Sequence, residues 1–296
     1  MIPLDLSGKV ALVTGVGDNL SFAWYIAKHL QAAGARLLLA VHPRMMTIVQ
    51  GFLENQAADD VESRRLPFNG GSLKVEKVIP CEVSYDTMAD VPENIRMDRR
   101  YTRLNCDYSI GGMVETVKTL TPNVDILIHS IAFSPEIKNL ALNTSRAAYL
   151  TALSVSAYSL TALLRAAEPL MENRPGGASA MALTYLGGER VVPHYGGGMS
   201  SAKAALQIDA KQLAHNLGKK NIRVNLISAG PYASRAARNI GDIQQMIDYA
   251  AQRSPLPRGI TAEEVANAAV FLCSPLASGI TGQTLYVDCG YHTMGV

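Results

Sequence analysis

The sequence predicts an α/β protein whose seven parallel strands form one doubly wound sheet flanked by helices, a single domain over residues 1–296. Three observations carry that expectation. Apolar, strand-like runs alternate with stretches of helical periodicity along nearly the whole chain. The chain opens strand, helix, strand before residue 42, the unit that builds parallel sheets. Hydrophobic residues make up 48% of 296 positions, ample for a sheet covered on both faces.

Taken in order, residues 9–14 (KVALVT) form a buried strand bounded by Gly8 and Gly15. A helix follows over 21–33 with Gly34 as its stop signal, and LLLAV at 37–41 is the second strand. Residues 59–103 break the rhythm with Pro67, Gly70, Gly71, Pro80, Pro92 and scattered charge. They read as a partly ordered insertion too poor in apolar residues for a core of its own. A helix over 110–120, the strand DILIHS at 125–130 and a long helix over 145–171 resume the alternation. On the long helix Leu150, Leu153, Ala157, Leu160, Leu164 and Ala167 make one stripe. Ala152, Ser156 and Ser159 make a small-residue face, a candidate subunit interface. After the strand ASAMALTY at 178–185 comes a helix with Ala202, Leu206, Ala210, Leu213 and Leu217 on one side. The strand IRVNLIS at 222–228 ends in a turn at Ala229, Gly230 and Pro231. Residues 234–253 have helical character between turn signals and read as a mobile lid near the site. A helix over 262–273 and a strand over 284–288 complete the chain.

With 27 basic and 25 acidic side chains the net charge is +2, which argues against a nucleic-acid partner and for small or neutral ones. The four cysteines form no CxxC pair and no histidine cluster accompanies them, so neither a disulfide framework nor a metal site is expected. No uninterrupted apolar run reaches the roughly 20 residues that span a bilayer, and the first residues lack the pattern of a secretory signal. The expectation is a cytoplasmic protein with no membrane partner.

Chemistry concentrates in residues 183–204, LTYLGGERVVPHYGGGMSSAKA, which set Tyr185, Tyr195 and Lys203 between a strand and a helix. Lys203 borders the buried stripe and must snorkel to water or find a partner inside. A tyrosine hydroxyl donates to an oxygen gaining charge, and a nearby lysine lowers its pKa and binds sugar hydroxyls. A Tyr-xxx-Lys helix pair is absent: Met199 stands four residues before Lys203, while Tyr195 stands eight before it, across Gly196, Gly197 and Gly198. The turn TGVGDNLSFAW at 14–24 sits where a dinucleotide phosphate loop belongs, although Leu20 breaks the GxGxxG pattern and an ordinary strand-to-helix turn fits about as well. At the end of the second strand, VHPR at 41–44 carries no acid for ribose hydroxyls. His42 suits an adenosine contact and Arg44 a 2′-phosphate, which leaves NADH against NADPH open. HSIAF and ISAGPY place Ser130, Ile131, Ala132, Phe133 and Ala229, Gly230, Pro231, Tyr232 along the carboxyl edge of the sheet, where small residues let a flat ring approach.

These stretches, with HSIAFSPE, TYLGGERVVPHYGGGMSSAKAAL, RVNLISAGP and the ending GITGQTLYVDCGYHTMGV, resemble the NADH-dependent enoyl-[acyl-carrier-protein] reductases of type II fatty-acid synthesis. That family is a divergent branch of the short-chain dehydrogenases/reductases, and the resemblance covers nearly the whole chain. The stretches LPFNGGSLKVEKV and DVPENIRMDRRY, and the eight-residue spacing, are similar to its longer plastid-like form. The resemblance implies a Rossmann-type fold, NADH as cofactor, an enoyl thioester on acyl carrier protein as substrate and partner, and a homotetramer. It implies that Tyr195 hydrogen-bonds the thioester carbonyl, that Tyr185 is the second active-site tyrosine, and that Lys203 holds the nicotinamide ribose. Gly15, Ser21 and Phe22 match the pyrophosphate loop, and His42, Asp107 and Tyr108 the adenosine lining. Ile131 and residues 232–236, with Ser234 and Ala236 among them, match nicotinamide contacts; Ser134 lies on the acyl path. Two rivals stand beside this reading. One is a carbonyl reductase of 3-ketoacyl thioesters, against which Met199 argues; the other is a non-catalytic nucleotide-binding regulator.

Overall fold

All five residues of strand β1, Val10–Thr14, are buried, as a central strand covered on both faces requires. The computed structural model describes residues 4–68, 70–193, 195–234 and 243–295. Its further strands are β2 (Arg36–Val41), β3 (Lys77–Pro80), β4 (Ile126–His129), β5 (Ala178–Thr184), β6 (Ile222–Ala229) and β7 (Thr284–Val287). They pair in the order β3-β2-β1-β4-β5-β6-β7, every pair parallel. The chain winds outward from β1 to β3, then returns to β4 on the other side of β1. This switch point opens a crevice at the carboxyl ends of β1 and β4, where Thr14 is in register with His129.

The helices are α1 (Phe22–Ala32), α2 (Met46–Glu54), α3 (Ala58–Ser63), α4 (Glu93–Arg96), α5 (Arg99–Thr102), α6 (Ile110–Leu120), α7 (Arg146–Leu153), α8 (Ser159–Met171), α9 (Met199–Gly218), α10 (Ile243–Arg253) and α11 (Ala262–Cys273). Side chains alternate across each strand, so two cores form. Leu127 joins α6, α8 and α9 in one; Ile126 and Ile128 join α1 and α11 in the other. Ser21, Ser109 and Ser145 each cap a helix by accepting a backbone N–H, and Thr261 with Glu264 closes a reciprocal capping box.

Three sequence expectations change. The strand the sequence left without boundaries, β3, lies inside the stretch read as an insertion, because its short KVIP run is flanked by the turn residues that suggested a loop. The same stretch supplies most of a small cluster of its own, Val91, Tyr101 and Tyr108 with Met88, Ile95 and Leu104 against it. The long helix is not one repeat: residues Ser154–Tyr158 form a π turn between α7 and α8. A π turn holds extra residue per turn, so a single period cannot run through it. Leu160, Leu164 and Ala167 are buried as expected, but Leu150 is 56% exposed while Ala152, Ser156 and Ser159 are fully enclosed. The small-residue face is therefore used inside the subunit and not between subunits. By length and composition Arg146–Met171 also passes as a membrane-crossing helix, which a search for uninterrupted runs misses because Thr and Ser punctuate it. It packs against α6, α9 and β5 with 56% of its most apolar window buried, the pattern of a core helix.

The core makes a direct prediction at Trp24, which is fully buried, donates its indole N–H to the Ser63 carbonyl at 3.0 Å and meets Phe52 edge-on. Trp24→Ala should lower unfolding free energy by about 3–5 kcal/mol in urea titration at fixed protein concentration. A loss below about 1 kcal/mol would contradict this packing.

Candidate active site

Strand β5 delivers its last residues to the carboxyl edge of the sheet, and the backbone stays extended through Tyr185 before a 3₁₀ turn at Leu186–Gly188. The chain returns at Tyr195 and crosses to α9 through three glycines. Each is required sterically or conformationally. A Cβ on Gly196 would lie 1.9 Å from the Asn139 carbonyl oxygen, and Gly197 and Gly198 have φ of +59° and +81°. Gly197 donates its N–H to the Asn139 carbonyl at 2.9 Å, and its own carbonyl accepts the Ser134 hydroxyl at 2.6 Å. The glycine bridge thus lies flat on residues 134–139. Tyr195 is held off the helix, packed on Met199 and Ala202, with Tyr185 edge-to-face at 4.8 Å and 68°. Gly187 makes room for that pair: a Cβ there would sit 2.7 Å from the Tyr195 ring.

Lys203, on the first turns of α9, does not snorkel. It is 4% exposed, and its ammonium donates to the Leu183 carbonyl at 2.8 Å, tying α9 to the end of β5. Burial pulls its pKa down to about 8. Because the folded value lies below the ordinary 10.5, the charged lysine opposes folding at lower pH. Its contribution to stability improves as pH rises from about 8 toward 10.5. The expected lowering of the tyrosine pKa by this lysine is not what the structure has. Burial raises the Tyr195 phenol, with Tyr185 adding to the rise; burial, then Tyr291 and Asp288, raises Tyr185. Both phenols therefore stay protonated donors at neutral pH. Beside them, the Lys203 ammonium has three N–H groups and one protein acceptor among the described residues, leaving donors for a diol.

At the switch point Gly15 has φ +83°, and a Cβ would stand 2.0 Å from the Ser130 carbonyl oxygen, so the first turn presses against the end of β4. The turn beyond it closes on itself: Asp18 accepts the Leu20 N–H at 2.8 Å, and Ser21 donates to the Asp18 carbonyl at 2.8 Å while capping α1. An uncrowded helix N-terminus facing a crevice suits a phosphate. Phe22 meets Tyr232 at 4.9 Å, joining α1 to the loop after β6. In that loop Ala229 and Gly230 are buried, Pro231 and Ser234 half-buried, and Gly230 donates to the Val287 carbonyl at 2.9 Å. Ala236 lies outside the described residues, as does 235–242 of the expected lid; the remainder of that segment is α10. Ile131 is half-buried and Ala132 exposed at the rim, whereas Ser134 is buried with its hydroxyl engaged under the glycine bridge.

Beside His42 the structure supplies an acid that the sequence reading missed. His42 accepts the Arg44 N–H on Nδ1 and sets Nε2 2.8 Å from Glu82 Oε2. Glu82, just after β3, also accepts the Tyr101 and Ser84 hydroxyls, each at 2.8 Å. Burial opposes its ionisation, but the hydrogen bonds from His42, Ser84 and Tyr101 prevail and hold its pKa down to about 2. The acid absent from the end of the second strand stands just after the neighbouring third, where it is engaged by His42, Ser84 and Tyr101; CEV after KVIP was its signal. Asp107 is exposed and accepts from Ser109, while Tyr108 is 3% exposed, turned against Tyr101.

What the sheet edge brings together is the equipment of a dinucleotide-dependent oxidoreductase. Comparison with known proteins narrows that class. The family model described as enoyl-(acyl carrier protein) reductase matches residues 100–292. The chain is 46% identical over its whole length to the NADH-dependent enoyl-[acyl-carrier-protein] reductase of the Arabidopsis thaliana chloroplast, covering 74% of that protein. It is 41% identical to FabI, the corresponding NADH enzyme of Nostoc, over 99% of this chain and 100% of the other. The crystal structure of Plasmodium berghei enoyl-acyl-carrier-protein reductase with triclosan superposes with a TM-score of 0.90 at 36% identity, covering 97% of this chain and 99% of that one. The chain belongs to the enoyl-(acyl carrier protein) reductase family.

The steric case for the glycine bridge predicts opposite signs at two glycines. Gly196→Ala should destabilise by about 1–3 kcal/mol through the clash with Asn139. Gly218→Ala, at the end of α9 with no atom within 4 Å of its added Cβ, should be neutral or stabilising by up to about 1 kcal/mol. Urea midpoints compare them, and equal effects would contradict the tight bridge.

Proposed function

We propose that this chain reduces the trans-2 double bond of an enoyl group carried as a thioester on acyl carrier protein, with NADH as reductant, the last reductive step of each fatty-acid elongation cycle. The observation that carries the reading is the placement of Tyr195. The glycine bridge lifts it off α9 onto Met199 and Ala202, beside Tyr185. A carbonyl reductase would need its tyrosine where Met199 stands.

NADH, when bound, supplies the hydride that adds to C3 of the enoyl group. Negative charge then gathers on the thioester oxygen, and the Tyr195 phenol, kept protonated by burial, donates a hydrogen bond to it and holds the enolate until C2 takes a proton. In a pocket without water such a bond is worth more than in solution. Tyr185 walls the same oxygen in from the edge of the sheet. Lys203 directs its unspent N–H groups to the nicotinamide ribose, and its charge lowers the barrier electrostatically. Gly15, Ser21 and Phe22 hold the pyrophosphate at the start of α1; His42, Asp107 and Tyr108 flank the adenosine. Ser130, Ile131 and Ala132 on one side, with Ala229, Gly230, Pro231, Tyr232 and Ser234 on the other, face the nicotinamide. Ser134 lines the acyl path. The assembly is a homotetramer, supported by the exposed Tyr149, Leu150 and Ile208 on α7 and α9. The unpaired state of all four cysteines supports a reducing cytoplasm-like compartment.

Crotonyl and acetoacetyl thioesters offered in parallel, with nicotinamide absorbance followed, test the reading. Oxidation of NADH with the enoyl substrate alone is expected. Consumption with only the keto substrate would establish the carbonyl reductase instead, and none with either would favour a regulator. Tyr195→Phe should lower kcat about 10²–10³-fold with the Kd for NADH within about twofold. Loss of NADH binding in that variant would contradict the oxyanion role.

A further inference from the structure

We infer that the π turn between α7 and α8 is a positioning device: through Ser156 it fixes the backbone of residues 130–133, the segment facing the nicotinamide. This rests on the function proposed above. The Phe133 N–H donates to Ser156 Oγ at 2.9 Å, and the Ser156 hydroxyl donates to the Phe133 carbonyl at 3.1 Å. One side-chain hydroxyl thus satisfies both backbone polar groups of a single loop residue, a task that otherwise falls to a strand ladder or to water. Three residues on, the Ser159 hydroxyl donates to the Val155 carbonyl at 2.7 Å, so its oxygen is left to accept from His129 Nε2 at 2.7 Å. Two hydroxyls from one enclosed helix face therefore grip both ends of residues 129–133.

Beyond the packing of Ile131 on the core and the Gly15 turn against Ser130, no other turn or loop hydrogen bond among the described residues holds the backbone of 131–133. Its side chains at Ala132 and Phe133 are exposed, Ile131 is half-buried, and β4 ends at His129. Ser156 itself is fully enclosed and also reaches Met199 Sδ at 3.5 Å, at the start of α9. A hydroxyl in that place is not needed for packing, since an alanine fills nearly the same volume. It is needed to keep the Ile131–Phe133 backbone in one conformation, and a mobile wall there costs binding of a flat ring. Ser156 is a positioning residue, acting on the cofactor through the loop.

Ser156→Ala and Met199→Leu separate this role from packing, because the second disturbs the same contact while leaving both bonds to Phe133. In Ser156→Ala the Kd for NADH, read by fluorescence titration, should rise about tenfold, and backbone deuterium exchange in residues 130–134 should quicken. The KM for the enoyl thioester should move by less than about threefold. Ser156→Cys, with its weaker donor, should fall between wild type and Ala, and serves if Ala does not fold. Met199→Leu should keep wild-type Kd and exchange. Unchanged Kd and exchange in Ser156→Ala, or equal effects in Met199→Leu, would overturn the inference, as would a wild-type chain that does not bind NADH. A chain that binds NADH but reduces no enoyl thioester would overturn the function and leave the clamp to be judged by binding and exchange.

Discussion

A cation enclosed among apolar side chains needs an acceptor, and the Leu183 carbonyl is the one that Lys203 has. That bond fixes the long helix α9 to the end of β5 and sets where its first turn begins. The glycine bridge and the tyrosine pair lie between the two elements that it joins. It also leaves the lysine half-satisfied, with donors aimed at the sheet edge and a pKa pulled down to about 8 by burial. A residue that opposes folding in its charged form is a candidate for chemistry at the edge of the sheet, the role proposed for it above.

The second constraint is steric. Gly196 and Gly197 approach the backbone of 134–139 more closely than any Cβ permits, and Gly198 holds φ +81°. The bridge, not the helix, therefore decides where Tyr195 stands, and the eight-residue spacing to Lys203 follows. Enclosure raises both phenols instead of lowering them. At neutral pH Tyr195 is therefore a neutral hydrogen-bond donor and not a phenolate, which fits the enolate-holding role proposed for it.

Much of this was legible in the chain. Helices over 110–120 and 262–273 have the expected bounds, and in the structure Ser109 and Thr261 cap their starts. The tyrosines, the lysine and the three glycines could be picked out because their residue types are rarely placed together without a reason. What stayed hidden was hidden by non-local pairing and irregular backbone. β3 is four residues long and earns its place only by pairing with β2. Glu82 becomes a site residue only because β3 lies beside β2, bringing it to His42. The π turn has no residue signature, so the face of α7 was assigned to the wrong side. The expected effect of Lys203 on Tyr195 failed for a different reason: the burial that raises the phenol was not foreseen.

The central claim, that the enclosed Lys203 must carry its charge to hold the cofactor, predicts a coupling between NADH and a proton. Calorimetric titration of NADH in buffers of different ionisation enthalpy reads that coupling directly. Uptake of about 0.9 proton per NADH is expected at pH 9, above the lysine's pKa of about 8, and less than about 0.1 at pH 7. Equal uptake at both pH values would contradict the account.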